Sequence, residues 1–256
     1  MPDSPSSFNA SGIWSLTDTK EAVLGSNWAN PFPVVKDGLQ LYLDAGNTAS
    51  YPGSGNTWYD LSGKNKHFSL NSPSYTSGSI PYFSTLGRSM SGPESNSFGI
   101  TDVAGYTIYL IMYQNSLVNT AAFKFYGSGS NGRGIFAHCT WSDGNVYWDQ
   151  GGVGDSDTRT YVNAGTMNAW NIFVFRRNGY RQRHILKNNS ILTTNTTSAA
   201  DVNLTTTSVT LGSTDEYGGT SSTWDARIGH FIVYNRGLSN AELLYNHNAL
   251  RTRYGI

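Results

Sequence analysis

A long strand that leads directly into one helix constrains this chain more than any other feature of its sequence. The segment Ala226–Tyr234 carries apolar residues on both of its faces, so both faces are expected to be covered. Ser239 and Glu242 follow with the spacing of a capping box, which predicts that a helix begins there. The buried face of that helix is expected to consist of Leu243, Leu244, His247, Leu250 and Tyr254. The pattern predicts a β-rich fold closed by a single helix.

Composition excludes several classes of function. Only 13% of the 256 residues are charged and the formal net charge is zero, which argues against a nucleic-acid partner, because such proteins need clustered Lys and Arg. The 28 glycines, 16 tyrosines and 7 tryptophans are typical of short strands joined by polar turns. Cys139 is the only cysteine, so an internal disulfide and a multi-cysteine metal site are excluded and a buried thiol is expected.

The chain shows no signal for secretion or membrane insertion. Its N-terminus lacks the basic region and apolar core of a secretory signal peptide. The longest apolar-rich run, Tyr106–Tyr113, is far shorter than the roughly 20 residues needed to cross a bilayer. We expect a soluble protein made in the cytoplasm of the producing cell, with no membrane insertion.

Strand candidates follow one another at short intervals from residue 38 onward. They are Leu39–Leu43, His67–Leu70, Tyr106–Tyr113, Ala121–Tyr126, Gly134–His138, Val146–Asp149, Trp170–Arg176, Gln182–Lys187, Val209–Gly212 and Ala226–Tyr234. Glycine- and asparagine-rich turns separate them, and alternating helices are absent. The pattern predicts an all-β fold, a two-sheet antiparallel jelly-roll sandwich, over residues 37–256.

Residues 1–36 are predicted to form a separate arm and linker. A short helix is expected between Ser15 and Gly25, followed by an extended linker through Asn30-Pro31-Phe32-Pro33. An isolated helix of this length is marginal in water, so its apolar residues need a surface to pack on. These residues are Trp14, Leu16, Val23 and Trp28. They pack either on the chain's own β domain or on a neighbouring subunit.

Three segments, in order, resemble the laminin-G-like branch of the concanavalin A-like lectin/glucanase superfamily. The first begins at Gly38 with GLQLYLDAGNTASYPGSGNTWYDLSGKNKHFSL. The second is AWNIFVFRRNGYRQRHILKNNSIL, and the third runs from VTLGSTDEYGG to WDARIGHFIVYNRGLSNAEL. Together they extend from Gly38 to the end of the sequence. The resemblance implies a concanavalin A-like jelly-roll domain that ends in a short helix, to which the residue pattern adds the short N-terminal helical arm and the amphipathic character of the C-terminal helix.

The amino-acid sequences of these segments, and SGIWSL near the start of the chain, resemble sequences in proteins of tailed bacteriophages, cyanophages among them. That resemblance implies a non-enzymatic virion structural protein, a capsid decoration, head-fibre or tail-fibre component, displayed on the virion surface. Its partners would be other virion proteins and further copies of itself, and residues 1–36 would anchor it to the particle.

Catalytic chemistry finds little support in the sequence. Glucanases of this superfamily carry carboxylates at alternate positions of one strand, as an acid and a base or nucleophile must face the same bond. Glutamate occurs here only at Glu21, Glu94, Glu216 and Glu242, and none belongs to such a strand. The five histidines lack metal-ligand spacing. We therefore expect no enzyme activity, with polysaccharide hydrolysis as the least favoured alternative.

Ligand binding is the stronger alternative. Aromatic faces suit sugar rings, and the glycan-binding candidates are Trp141, Tyr147, Trp148 and Tyr217. Asp155 and Asp157 are candidate calcium ligands, and resemblance to calcium-binding laminin-G modules makes Ca²⁺ the one cofactor to consider. These residues would make the chain a lectin-like adhesin for host-surface glycan, calcium-assisted. In the competing interpretation the aromatic side chains are packing residues and the acids form turns.

Overall fold

The structure is a computed structural model that describes residues 33–72, 74–129, 132–152, 157–165, 167–212 and 224–256. Its strands are β1 (Leu39–Asp44), β2 (Thr57–Trp58), β3 (Phe68–Leu70), β4 (Ser74–Thr76), β5 (Tyr82–Ser84), β6 (Met90–Glu94), β7 (Tyr106–Gln114), β8 (Phe123–Tyr126), β9 (Arg133–His138), β10 (Asn145–Gln150), β11 (Arg159–Asn163), β12 (Trp170–Asn178), β13 (Gln182–Lys187), β14 (Ser190–Asn195), β15 (Ser208–Leu211) and β16 (Ala226–Tyr234). A short 3-10 turn, Ser95–Phe98, follows β6, and one helix, α1 (Asn240–Tyr254), follows β16.

The strands form two antiparallel sheets of eight strands each. Sheet A has the order β14-β13-β12-β7-β16-β5-β4, with β1 paired to the C-terminal half of β16 beside β5. Sheet B has the order β11-β10-β9-β8-β15-β6-β3-β2. The two sheets pack face to face as a jelly-roll sandwich, which confirms the fold predicted from the alternating pattern.

The main core lies between the sheets and is rich in aromatic rings. Phe123 of sheet B packs between Phe175 and Phe231 of sheet A, with ring centroids 5.4 and 5.5 Å apart. Trp148 reaches the same layer, 5.6 Å from Phe175. All four rings are fully buried, and each contributes roughly 1.5–3 kcal/mol or more through burial. Cys139 is buried in this core, as predicted.

A second core forms where α1 covers the outer face of sheet A. Leu243, Leu250 and Tyr254 of the helix pack with sheet residues such as Tyr109 and Ile232. Strand β16 is therefore buried on both faces, as its pattern predicts. The capping box between Ser239 and Glu242 is present, with each side chain bonded to the other's backbone N–H.

The prediction that Leu244 lies on the buried face of the helix is wrong. Leu244 is 47% exposed, because it follows Leu243 by about 100° around the helix while Leu243 points at the sheet. Asn246 is buried instead. Its side chain donates to the Tyr234 hydroxyl, 3.1 Å away, and accepts from the backbone N–H of Val35 at 2.8 Å. A buried amide with these partners fixes the helix against both β16 and the segment before β1.

A buried charged cluster fastens the last turn of α1 to sheet A. The Asp44 carboxylate on β1 pairs with His230 at 3.2 Å and with Arg253 of the helix. His230 Nδ1 lies 2.5 Å from the Tyr254 hydroxyl. Burial alone would raise the pKa of Asp44, but His230 and Arg253 outweigh it and lower that pKa well below its usual range. The helix is therefore held by ionic as well as apolar contacts.

Residues 1–32 of the predicted arm, with Trp14, Leu16, Val23 and Trp28, lie outside the described residues, and the boundary at residue 36 stays a prediction. Val34 and Val35 already pack against the second core. No helix within the described ranges is long and apolar enough to span a bilayer.

Candidate functional site

The outer face of sheet B carries an aromatic strip formed by Trp141, Tyr147 and Tyr161. Tyr147 and Tyr161 are directly opposite each other on β10 and β11, with stacked rings 5.4 Å apart at 26°. Trp141 stands in the turn between β9 and β10, 6.3 Å from Tyr147 and nearly perpendicular to it. Helix α1 covers the other sheet, so it does not screen this strip.

Local backbone geometry places Trp141 beside the strands. Its N–H donates to the Asn145 carbonyl at 2.8 Å and its carbonyl accepts from the Gly144 N–H at 2.9 Å, which closes a tight β-hairpin turn. Gly144 has a φ of +80°, a conformation that glycine adopts without strain. His138, the last residue of β9, packs edge-on against the indole at 5.0 Å.

The three rings are open to solvent to different degrees. Tyr161 is 60% exposed, whereas Trp141 and Tyr147 are half-buried. Single exposed aromatic side chains are ordinary surface features, whereas a contiguous group of them marks a candidate interaction surface. The strip is therefore a surface that can receive an apolar or planar ligand face.

Polar groups lie at the edge of the strip. The Asp143 carboxylate accepts from the Tyr147 hydroxyl at 2.7 Å and from the Asn145 side-chain amide at 2.9 Å. Burial acts to raise the pKa of Asp143, but the hydrogen bonds together outweigh it and lower that pKa, so the carboxyl is ionised at neutral pH. The edge thus presents a carboxylate, an amide and a phenol together, groups that hydrogen-bond to hydroxyls.

A buried ionic cluster on β9, β10 and β11 supports the strip. Asp149 is fully buried and accepts two hydrogen bonds from Arg159, at 2.6 and 2.8 Å. Arg133 and His138 lie 3.4 and 3.5 Å from the same carboxylate. The Arg159 guanidinium in turn lies over the Tyr147 ring at 4.6 Å. Although burial opposes it, the hydrogen bonds from Arg159 and His138 lower the pKa of Asp149.

The structure brings together two of the predicted glycan-binding residues and separates a third. Trp141 and Tyr147 share the strip, but Trp148 is fully buried in the main core, 5.8 Å from Tyr106. Its assignment to a binding surface is wrong, because successive residues of a strand point to opposite faces and Tyr147 takes the outer one. Tyr217 lies outside the described residues.

The predicted calcium ligands are not brought into a cluster by the described residues. Asp155 lies outside them, and Asp157 is exposed in the turn before β11. The Asp157 carbonyl accepts from Arg183 at 3.1 Å and from the Ala200 N–H at 2.9 Å. Within the described ranges no three His, Cys, Asp or Glu side chains are grouped to hold a metal ion. Calcium assistance stays a prediction.

Sequence reasoning missed Tyr161, Arg159 and Asp149. Strand β11 alternates Arg159, Tyr161 and Asn163 on one face with Thr160 and Val162 on the other. That short alternation was the available signal, and pairing it with β10 would have placed Tyr161 beside Tyr147. Asp149 had no local signal, because its role depends on cations from two neighbouring strands.

Comparisons with known proteins support the fold at low sequence identity. No protein-family model matches the chain, and no curated protein does either. Among solved structures, the binding domain of Paraclostridial Mosquitocidal Protein 1 aligns with a TM-score of 0.61 at 14% identity, covering 83% of this chain and 53% of that one.

Two further solved structures extend the comparison. Botulinum neurotoxin type C, which depends on interaction with two ganglioside molecules to enter cells, aligns with a TM-score of 0.60 at 15% identity, covering 83% and 51% of the two chains. Trypanosoma rangeli sialidase, solved in complex with sialic acid, aligns with a TM-score of 0.58 at 12% identity, covering 84% and 33%. The chain spans about half the length of the toxin binding domains and a third of the sialidase. The similarity to these structures therefore concerns the β-sandwich fold.

Proposed function

We propose that this chain is a glycan-binding module and that the aromatic strip on the outer face of sheet B contacts the sugar. The stacked pair Tyr147 and Tyr161, with Trp141 at its end, carries the proposal. Sugar rings have apolar faces that pack on aromatic side chains, while their hydroxyls need donors and acceptors at the edge. Asp143 and Asn145 supply that edge.

Preorganisation favours binding at this strip. Tyr147 is held by the hydrogen bond to Asp143 and by the Arg159 guanidinium over its ring. Little side-chain entropy is then lost when a ligand arrives, which improves affinity for a given contact area. Asp149, which positions Arg159, is enclosed and has no contact with solvent. Its role is to support the ring rather than to attack a bond.

The comparisons lend the proposal limited support. The structures that align over the sandwich include toxin binding domains, and among them is a neurotoxin that interacts with gangliosides. At 12–15% identity they share the fold with this chain. Sialidases also align, so the fold alone does not separate binding from hydrolysis.

A glycan array followed by calorimetric titration tests the proposal. We expect saturable binding of at least one glycan, and substitution Trp141→Ala should weaken it without lowering the melting temperature substantially. Repeating the titration with calcium and with a chelator tests the predicted calcium assistance. Release of reducing ends from a bound polysaccharide would favour hydrolysis instead. Absence of saturable binding across the array, or equal binding by Trp141→Ala, would contradict the proposal.

A place on a virion remains a second proposal, supported by the sequence resemblance alone. It is compatible with glycan binding, since a particle-bound module can also contact a cell surface. Deleting residues 1–33 should yield a folded domain that no longer joins particles. Particles that still incorporate the shortened chain would argue against the arm as an anchor.

A further inference from the structure

A polar groove of about 500 Å³ lies on the opposite side of the sandwich from the aromatic strip. Its floor is the outer face of β12, β13 and β14, which α1 leaves uncovered, and its wall is the turn into α1 with the first helical residues. The lining side chains used below are Arg176, Asn178, Gln182, His184, Asn240 and Glu242.

Arg176 forms the floor of this groove and is only 4% exposed. Its guanidinium donates to the Leu238 carbonyl at 3.0 Å, to the Asn240 side-chain oxygen at 2.7 Å and to His184 Nδ1 at 3.2–3.3 Å. A guanidinium has five N–H donors. Both Nη1 hydrogens go to Leu238 and Asn240, while Nε–H and one Nη2–H face His184 Nδ1. One Nη2–H is therefore left for another acceptor.

The charge of Arg176 has no counterion within the described residues. No carboxylate oxygen there lies within 4.0 Å of its nitrogens, whereas the buried Arg177 on the same strand pairs with Asp102 at 2.7 Å. Glu242 lines the groove, but it is bidentate to Arg236 at 3.1 and 2.6 Å and closes the helix cap. A buried charge without a partner is costly, so a bound anion would stabilise this site.

His184 adds a second donor to the groove. Burial, together with the neighbouring Arg176, lowers the pKa of His184, so the ring is neutral at neutral pH. Because Nδ1 accepts from Arg176, the proton of the neutral ring sits on Nε2. The Nε2–H makes no hydrogen bond to any described residue. It is available to an acceptor that enters the groove.

We propose that this groove binds a small hydroxylated carboxylate, with its carboxylate on Arg176 and one of its hydroxyl oxygens accepting from His184 Nε2–H, which points away from Arg176. The remaining Nη2–H can donate to one carboxylate oxygen, and the ionised ligand would neutralise the buried positive charge. The amides of Asn178, Gln182 and Asn240 can hydrogen-bond to ligand hydroxyls. The site is separate from the aromatic strip, and the proposal does not depend on the function assigned to that strip.

Titration of the full chain with glucuronate, glucose and inorganic phosphate tests this proposal. Glucose is the matched neutral sugar. We expect saturable binding of glucuronate, at least tenfold weaker binding of glucose, and weaker binding of phosphate than of glucuronate. Failure of glucuronate to saturate would overturn the proposal, as would equal binding of glucose. Tighter binding of phosphate would overturn the assignment to carboxylates.

Four variants locate the ligand. Arg176→Gln should lose at least tenfold in glucuronate affinity. Gln182→Glu adds a negative charge at an exposed rim position and should weaken binding severalfold, which keeps the test decisive if Arg176→Gln fails to fold. Ser69→Glu, at an exposed position of sheet B, is the charge control and should bind as the parent does. Unchanged binding in Gln182→Glu would contradict the proposal. Loss of glucuronate binding in Tyr161→Ala would place the ligand on the strip and refute the groove.

Discussion

Tyr147 and Tyr161 stack across the β10–β11 pair with ring centroids 5.4 Å apart, while Trp148, the next residue of β10, points into the core. One strand thus divides its aromatic side chains between two tasks. Tyr147 belongs to the surface and Trp148 to the packing between the sheets. Because the two faces are distinct, substitutions on β10 and β11 can affect ligand binding and folding separately.

Replacing Tyr161 with alanine should weaken glycan binding with little effect on stability. The ring is 60% exposed, so its removal costs little packing but deletes one face of the strip. We expect roughly tenfold weaker binding, about 1.4 kcal/mol. Calorimetry with the best glycan from an array measures it. Tyr59→Ala, at another exposed tyrosine (43%), is the matched control and should bind normally. A similar loss in both variants would count against the strip.

Replacing Trp148 should lower stability with little effect on glycan binding. Its ring is fully buried against Tyr106 and Phe175, so Trp148→Ala should lower the free energy of unfolding by about 3–5 kcal/mol and Trp148→Phe by less. Denaturant unfolding measures both changes. The folded fraction of Trp148→Phe should keep its glycan affinity. A variant of unchanged stability that has lost binding would restore Trp148 as a contact residue.

Alternation predicted most of the fold because long strands bury one or both faces. It found β7, β12 and β16 nearly to their ends. It missed six strands, β2, β4, β5, β6, β11 and β14. Among these, β6 contains Pro93 and β14 is a polar sheet edge, so neither shows an apolar alternation. These strands exist because their neighbours pair with them, which is not a local property.

The site was predictable only in part for a related reason. Trp141 and Tyr147 stood out by residue type, but the face of each residue follows from strand parity, which excludes Trp148 once Tyr147 is assigned outward. Predicting Tyr161 as a site residue required knowing that β11 pairs with β10. Arg176 gave no signal at all, because its missing counterion is a property of three elements brought together.

Acid should loosen the attachment of α1 through Asp44. The folded-state pKa of this carboxyl is lowered, so the unfolded chain takes up a proton first as the pH falls below about 4. The stability that Asp44 contributes is fully present above that pH and is lost as the pH drops towards the folded-state pKa. Asp44→Asn should therefore cost about 3 kcal/mol at pH 7 and progressively less below pH 4.

Denaturant unfolding of the parent and of Asp44→Asn at pH 7, 5, 4 and 3 measures this difference. Asn47→Asp, on the exposed turn after β1, changes the charge by one unit away from the cluster and serves as the control. The difference in unfolding free energy between this variant and the parent should not shrink in the same way below pH 4. A gap between parent and Asp44→Asn that stays constant over the whole range would contradict the ionic role.

Gly229 is expected to be intolerant of a side chain although its φ is not positive. A Cβ there would run into the phenol of Tyr254, which His230 holds in place. Gly229→Ala should destabilise the fold by about 1–3 kcal/mol. The double variant Gly229→Ala/Tyr254→Leu should lose less unfolding free energy than the sum of the losses in the two single variants, because both substitutions act on one contact. Additive free energies of unfolding would contradict this.

Enclosure of Cys139 between the sheets leaves the described surface without a competing thiol, and burial raises the pKa of that thiol further. A cysteine introduced at Leu244, on the solvent side of α1, would accordingly be the site that reacts with a maleimide tether. Helix α1 packs on sheet A, whereas the Tyr147–Tyr161 pair lies on the opposite side, on sheet B. Protein immobilised on a solid support through this cysteine would therefore have one orientation, with the tyrosine pair facing the solution.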